Sequence, residues 1–101
     1  MIKHIVFWKL ADEALGATKA ENIERLIAAI EELPDLVPGI VHLEVGVDFE
    51  RSESAWDLAL YSAFETRENL DAYQVHPAHV RVAQLVAQVR TDRAVVDYEL
   101  R

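Results

Sequence analysis

The segment from Tyr73 to His79, which reads YQVHPAH, concentrates the side chains of this sequence best suited to proton transfer. Because imidazole titrates near neutral pH, His76 and His79 are both candidate acids or bases. A tyrosine hydroxyl beside a neutral imidazole can orient a substrate while the imidazole removes a proton next to a carbonyl group. The segment therefore predicts acid–base chemistry on a small carbonyl compound.

Pro77 determines where these side chains are expected to lie. Proline suits the first position of a helix, which predicts His76 near the N-cap and His79 in the first turn. The positive end of the helix dipole disfavours imidazolium, so His79 is expected to be neutral and able to accept a proton. Tyr73 ends a preceding short helix and is expected to converge with His79 across the junction.

A third histidine, His4, lies in the middle of an apolar strand, among Ile2, Val6 and Trp8. Two interpretations stay open. His4 is either a core histidine whose nitrogens are satisfied by neighbours, or a cavity wall group that polarises a carbonyl oxygen. The fourth histidine, His42, shares a polar strand face with acidic residues and is expected to be solvated.

The HxxH spacing of His76 and His79 also raises the question of a metal site. A third ligand would have to come from His4 or from a carboxylate, and the stronger catalytic pattern has i, i+4 spacing and a glutamate. The sequence has no cysteine, no glycine-rich phosphate loop and no GxSxG motif. We therefore expect no metal and no cofactor.

Composition limits the remaining classes of function. The chain has 101 residues, of which 51% are hydrophobic, and this predicts a single domain over residues 1–101. Its 18 acidic and 10 basic residues give a net charge of −8, which argues against nucleic-acid and membrane partners. The first apolar run is too short for a membrane span or a signal peptide, and the lack of cysteine suits the cytoplasm.

Hydrophobic periodicity predicts the order strand, helix, strand, strand, helix, strand. The predicted strands are residues 2–10, 40–49, 56–64 and 94–100. A capping box at Thr18 predicts the first helix, and the second helical region comprises a short helix capped by Thr66 and a longer one starting at Pro77. This order is that of a ferredoxin-like βαββαβ subunit, an α+β fold with helices on one face of an antiparallel sheet.

The first strand is apolar on both faces, although the predicted helices cover only one face of the sheet. An apolar sheet face left open in a small domain marks an interaction surface. A second copy of the chain is the simplest partner, so we predict a homodimer formed by sheet-to-sheet packing.

Several segments together resemble one protein family over nearly the whole chain. They are the opening MIKHIVFWKL, then VPGIVHLEVGVDF and DLALYSAFET, and above all AYQVHPAHV followed by RAVVDYEL. The chain is similar to the Dabb family of stress-responsive dimeric α/β-barrel proteins. The resemblance implies a ferredoxin-like subunit whose sheet meets that of its twin to close a barrel.

The Dabb resemblance also implies roles for particular residues. One characterised relative is the plant olivetolic acid cyclase, a cofactor-free polyketide cyclase that performs an aldol condensation. By that resemblance, Tyr73 and His79 match the catalytic tyrosine and histidine of the cyclase, and His4 matches a pocket histidine on its first strand. The cyclase also carries a histidine on its third strand, where the nearest position here is the apolar Leu58.

Three hypotheses about function follow. In the first, the protein is a cofactor-independent enzyme in which His79 is the general base, Tyr73 orients the substrate and His4 polarises the carbonyl oxygen. In the second, it is a non-enzymatic, stable homodimeric stress or small-ligand-binding protein whose histidines serve packing. A cofactor-free oxygenase is the third, suggested by fold analogy alone.

Overall fold

A four-stranded antiparallel sheet, with helices on one face, organises the computed structural model, which describes residues 1–101. In chain order the elements are β1 (Ile2–Leu10), β2 (Glu13–Ala14), β3 (Ala17–Thr18), α1 (Lys19–Glu31), α2 (Leu33–Leu36), β4 (Ile40–Val47), β5 (Leu58–Phe64), α3 (Arg67–Val75), α4 (Pro77–Val89) and β6 (Arg90–Glu99). The sheet has the order β4-β5-β1-β6, and β2 and β3 form a separate small hairpin. The predicted ferredoxin-like α+β fold is confirmed.

The first helix begins where the sequence predicts. The Thr18 hydroxyl accepts a hydrogen bond from the Glu21 backbone N–H at 3.2 Å, while the Glu21 carboxylate accepts one from the Thr18 N–H at 3.0 Å. These bonds satisfy two of the backbone donors left free at a helix start. Leu26 and Ile30 then bury one side of α1 against the sheet.

The boundaries of three strands differ from the prediction, since β4 ends at Val47 rather than at residue 49 and the starts of two other strands differ. β6 begins at Arg90, directly after α4, rather than at Ala94, and β5 begins at Leu58 rather than at Trp56. Hydrophobic pattern alone does not mark Arg90 as a strand residue. Its pairing with Leu10 extends the sheet over polar residues, because backbone hydrogen bonding with a neighbouring strand outweighs weak local β-propensity.

The second predicted strand contains an irregularity that interrupts its alternation. The register shifts between Ile40 and His42, and Val41 is 51% exposed, whereas Leu43 and Val45 pack against the core. An extra residue in one strand of a pair reverses which face its neighbours meet. The alternation of Val41, Leu43 and Val45 in the sequence predicts a shared apolar face, and this prediction is wrong for Val41, which the bulge removes from that face.

The two faces of the sheet have different environments. Alternate residues of β1, namely Ile2, Val6 and Trp8, are buried under the helices in the hydrophobic core. Residues on the opposite face remain accessible, among them Phe7 at 37% and Val96 at 57% exposure. No helix of the chain is long and apolar enough to cross a membrane.

Candidate functional site

A cavity of about 250 Å³ lies between the helix-covered face of the sheet and the helix α4. Of its 14 lining residues, 10 are hydrophobic. The lining residues are His4, Val6, Trp8, Ile30, Leu33, Leu60, Tyr73, His79, Val82, Ala83, Val86, Ala87, Arg90 and Arg93. All three side chains predicted from the sequence as candidate catalytic groups are thus at one cavity, with Leu60 rather than Leu58 lining it from β5.

The junction between α3 and α4 sets the positions of two of the histidines. His76 is the N-cap of α4, and its Nδ1 accepts a hydrogen bond from the Ala78 backbone N–H at 3.0 Å. His79 lies one turn further and faces the cavity. The HxxH pair is therefore divided between a helix cap and a cavity wall, and its two rings do not serve a common site.

His79 is held in one tautomer by the preceding helix. Its Nδ1–H donates to the backbone carbonyl oxygen of Gln74 at 3.0 Å. A carbonyl oxygen can only accept, so the ring hydrogen lies on Nδ1, and Nε2 keeps its lone pair. This hydrogen bond leaves Nε2 as the nitrogen available to take a proton.

The surroundings of His79 favour its neutral form. Burial is the largest cause that lowers the pKa of His79, and electrostatic interactions with His4 and Arg93 lower it further. The hydrogen bond to Gln74 opposes these effects without reversing them. The direction of the pKa shift agrees with the neutral ring expected of His79, but its main cause is burial rather than the helix start.

Tyr73 lies beside His79 in the interior of the molecule. The centroid of its ring is 4.4 Å from that of His79 and 5.1 Å from that of Phe64, and the residue is 1% exposed. The predicted convergence across the helix junction is therefore present. Burial raises the pKa of Tyr73 to about 12, so the hydroxyl keeps its proton at neutral pH and is able to donate a hydrogen bond.

His4 lines the cavity together with Tyr73 and His79, and it has a partner that the sequence pattern does not reveal. Its ring is 2% exposed and lies edge-on to Tyr73, with 6.2 Å between centroids. His4 Nδ1–H donates to a carboxylate oxygen of Asp97, the residue directly opposite it on β6. The only signal in the sequence was that Asp97, like Glu99, interrupts the otherwise apolar run AVVDYEL.

The Asp97 hydrogen bond bears on the two interpretations of His4. A carboxylate can only accept, so it fixes the ring hydrogen of His4 on Nδ1 and orients the ring. His4 is buried with one nitrogen satisfied, as expected of a core histidine, and it also lines the cavity, as expected of a wall group. The structure therefore combines features of both interpretations.

The cavity is also lined by Arg90 and Arg93, which nothing in the sequence pattern marks as candidate site residues. Arg90 follows the last residue of α4, and Arg93 lies on β6 opposite Trp8. Their placement depends on the early start of β6, which the hydrophobic pattern did not reveal. With them, the cavity has imidazole and phenol groups as well as two guanidinium groups in an otherwise apolar wall.

The profile of one protein family, described as the stress responsive A/B barrel domain and named Dabb, matches residues 2–100. The chain belongs to the Dabb family. The stress-response A/B barrel domain-containing protein DABB1 of Arabidopsis thaliana is 31% identical to this Dabb chain over 101 residues. That match covers 97% of this chain and 46% of DABB1, so the chain spans less than half the length of this relative.

Solved structures share the fold of this Dabb chain. A dimeric protein of unknown function with a ferredoxin-like fold, from Bacteroides fragilis, superposes with a TM-score of 0.84 at 35% identity and covers 98% of this chain and 95% of its own. The hydroxynitrile lyase of Passiflora edulis gives a TM-score of 0.84 at 17% identity, covering 99% of this chain. At that identity, the likeness to the lyase is one of fold alone.

Proposed function

We propose that this Dabb protein is a cofactor-independent acid–base catalyst that acts on a small carbonyl compound in the cavity under α4. The observation that carries the proposal is the meeting of Tyr73 and His79, with ring centroids 4.4 Å apart, at a cavity also lined by His4. In this set, Nε2 of His79 can accept a proton and the Tyr73 hydroxyl can donate a hydrogen bond to an oxygen. Polyketide-cyclase-like chemistry is the corresponding reaction class.

The reaction begins at Nε2 of His79. This nitrogen takes a proton from the carbon next to the substrate carbonyl, and the electrons of the broken C–H bond form a carbon–carbon double bond as charge moves to the oxygen. Tyr73 stabilises the enolate oxygen by donating a hydrogen bond from its hydroxyl group. His4 forms the cavity wall beside it, with its Nδ1–H donated to Asp97. The enolate carbon then either takes the proton back from His79 or attacks a second carbonyl carbon of the same molecule. In the second case the ring bond of an aldol cyclisation forms, and the resulting alkoxide oxygen takes the proton from His79.

The apolar wall strengthens these interactions. With 10 hydrophobic residues among the 14 that line it, the cavity offers little competing hydrogen bonding from solvent. Hydrogen bonds and charges act more strongly where water is excluded.

The proposal includes a homodimer formed through the open face of the sheet. Phe7, Val96 and Tyr98 are 37%, 57% and 42% exposed on that face, which no helix covers. A contiguous apolar sheet face is typical of an interface between subunits. The relative from Bacteroides fragilis is described as dimeric, which supports the same arrangement here.

A non-enzymatic, ligand-binding role is the second candidate, and one observation favours it. Tyr73 is as buried as a core residue and packs on Phe64, so a packing role alone explains its position. Under this alternative, replacing His4 or His79 lowers stability and leaves ligand affinity unchanged. The catalytic hypothesis therefore predicts a lower reaction rate for these variants, whereas the packing hypothesis predicts only a lower stability.

The test measures deuterium exchange at the carbon between the two carbonyls of ethyl acetoacetate, a β-keto compound. We expect His79→Ala to lower the rate by about 100-fold or more and Tyr73→Phe to lower it by about tenfold or more. His42→Ala is the matched control, because His42 is an exposed histidine bonded to Glu44 and remote from the cavity lining. Equal rates for all three variants and the parent protein would refute the catalytic proposal.

A further inference from the structure

The cavity lining has the opposite charge character to the rest of the protein. The chain has 18 acidic and 10 basic residues, yet the lining includes two arginines and two histidines but no aspartate or glutamate. A cavity lined by one sign of charge, with apolar walls, concentrates the field of that charge. The lining is therefore suited to an anion, although the molecule as a whole repels anions.

The two arginines of the lining have no acidic partner. The ion pairs of the structure engage Arg51 with Asp48 and Asp57, and Arg67 with Glu99, but they include neither Arg90 nor Arg93. Both side chains are exposed in a protein with a surplus of carboxylates. Their guanidinium groups thus keep their full hydrogen-bonding capacity at the cavity, and a guanidinium fork matches the two oxygens of a carboxylate.

The backbone positions of the arginines lie toward the opposite end of the cavity from those of His4 and His79, although the charge of Arg93 still reaches His79. Along α4, His79 and Arg90 are separated by a helical rise of about 16 Å. Along β1, His4 and Trp8 are separated by about 13 Å, and Arg93 pairs directly opposite Trp8. The two walls therefore run in the same direction, from the histidines to the arginines.

Trp8 forms part of the cavity wall at the arginine end. Its side chain lines the cavity and the residue is 5% exposed, while its indole N–H, which has no hydrogen-bond acceptor in the protein, is itself fully buried. Between the two ends the wall is apolar, and the small side chains of Ala83 and Ala87 leave space along α4.

We propose that the cavity binds a small organic acid with an apolar body, with its carboxylate at Arg90 and Arg93 and its other end at His79. The inference deepens the proposed function, on which it rests for the carbonyl group placed beside Tyr73 and His79. Because the backbone positions at the two ends are about 13–16 Å apart, the proposed acid carries methylene groups between the carbonyl and the carboxylate. The volume of about 250 Å³ lies below the range typical of drug-sized ligands and suits a medium-chain keto acid.

The experiment compares the affinities of 7-oxooctanoate and its methyl ester, which differ in the charge at one end. Calorimetric titration of the parent protein is expected to show a preference for the acid of about tenfold or more. The double variant Arg90→Gln with Arg93→Gln is expected to lose this preference while it still binds the ester. Arg81→Gln is the matched control, since Arg81 is an exposed arginine of α4 outside the cavity lining, and it should keep the preference.

Equal affinity for acid and ester in the parent protein overturns the inference, as does a preference that persists in the double variant. Folding of the double variant is checked by its binding of the ester. The result is separable from that of the proposed function, because the preference is measured by binding and should survive in His79→Gln. The opposite outcome is also distinguishable. If the protein exchanges the hydrogens next to the carbonyl of 2-octanone in a His79-dependent reaction but binds acid and ester equally, catalysis is supported and the carboxylate site is refuted.

Discussion

Asp97 on β6 lies directly opposite His4 on β1, and its carboxylate accepts a hydrogen bond from the imidazole Nδ1–H. Asp97 does not line the cavity, whereas the His4 ring does. The carboxylate therefore acts on the cavity only through the orientation and tautomer of His4, which makes Asp97 a positioning residue.

We predict that Asp97→Asn lowers the exchange rate of a β-keto substrate by about tenfold or more, because an amide does not hold the same tautomer of His4. Asp71→Asn is the control, since Asp71 lines the same small surface pocket as Asp97 without bonding to His4. NMR spectra of the His4 ring nitrogens should change in Asp97→Asn only. Unchanged spectra and unchanged rates would show that Asp97 does not position His4.

The pH dependence of catalysis should follow His79. Because burial lowers the pKa of His79 below its ordinary value of 6.5, the base is already deprotonated at neutral pH. We expect kcat/KM to rise with pH through a pKa lower than 6.5 and then to level off. A rate that rises only above neutral pH would assign the base to another group.

The lowered pKa of His79 has a consequence for stability. The unfolded chain binds a proton at His79 more readily than the folded chain does, so this contribution to stability is complete above about pH 6.5 and is lost as the pH falls through the folded pKa. Urea unfolding between about pH 7 and pH 5 should show a larger loss of free energy for the parent protein than for His79→Gln. Equal losses of unfolding free energy in the two proteins would contradict a lowered pKa for His79.

Two substitutions of Tyr73 should separate its hydroxyl from its ring. Tyr73→Phe should change the free energy of unfolding by less than about 1 kcal/mol, since the ring packing on Phe64 is kept. Tyr73→Ala should cost about 3–5 kcal/mol, because it removes a ring that is 1% exposed. Ultraviolet titration of the parent protein against Tyr73→Phe should assign a pKa of about 12 to the missing phenol. A difference that appears at the ordinary tyrosine pKa would contradict the burial of the hydroxyl.

Asp57 should stabilise the fold without affecting the cavity. It is 4% exposed and accepts a hydrogen bond from the Leu10 backbone N–H at 2.8 Å and one from Arg51 at 2.9 Å. Asp57→Asn is expected to lower the free energy of unfolding by about 1–3 kcal/mol. The exposed Asp12, which shares the Lys19 partner at 3.7 Å, is the control, and Asp12→Asn should cost less than about 1 kcal/mol.

The stabilisation by Asp57 should depend on pH. Burial opposes its ionisation, but the hydrogen bonds from Leu10, Lys19 and Arg51 outweigh burial and lower its pKa from 3.8. The stabilisation is therefore present above the unfolded pKa and is lost as the pH falls through the lower folded value. The difference in stability between the parent protein and Asp57→Asn should narrow in acid, and a constant difference would argue against an ionised Asp57.

The proposed dimer predicts that a charge on the open sheet face separates the subunits. Val96→Glu places a carboxylate on β6 opposite Ile5, and we expect the solution mass to fall from that of a dimer to that of a monomer. Val75→Glu, at the end of α3, is the control, because Val75 is 75% exposed away from the sheet. A monomeric parent protein at micromolar concentration would rule out the dimer.

The residue pattern alone is sufficient to predict the local elements and the junction between α3 and α4. The capping box at Thr18 and the N-terminal position of Pro77 depend on interactions within a few residues, and both are present as predicted. The approach of Tyr73 to His79 could also be predicted, because the two residues flank a single helix junction. In each case the interacting groups are close along the chain, so the residue pattern contains the required information.

Which distant residues meet at the cavity depends on the tertiary structure. Asp97 reaches His4 because of the β1–β6 register, and a shift of one residue would turn Asp97 to the other face of the sheet. Arg93 joins the cavity through the same register, opposite Trp8. These contacts link residues more than 80 positions apart, and strand register depends on the packing of the whole sheet rather than on either segment alone.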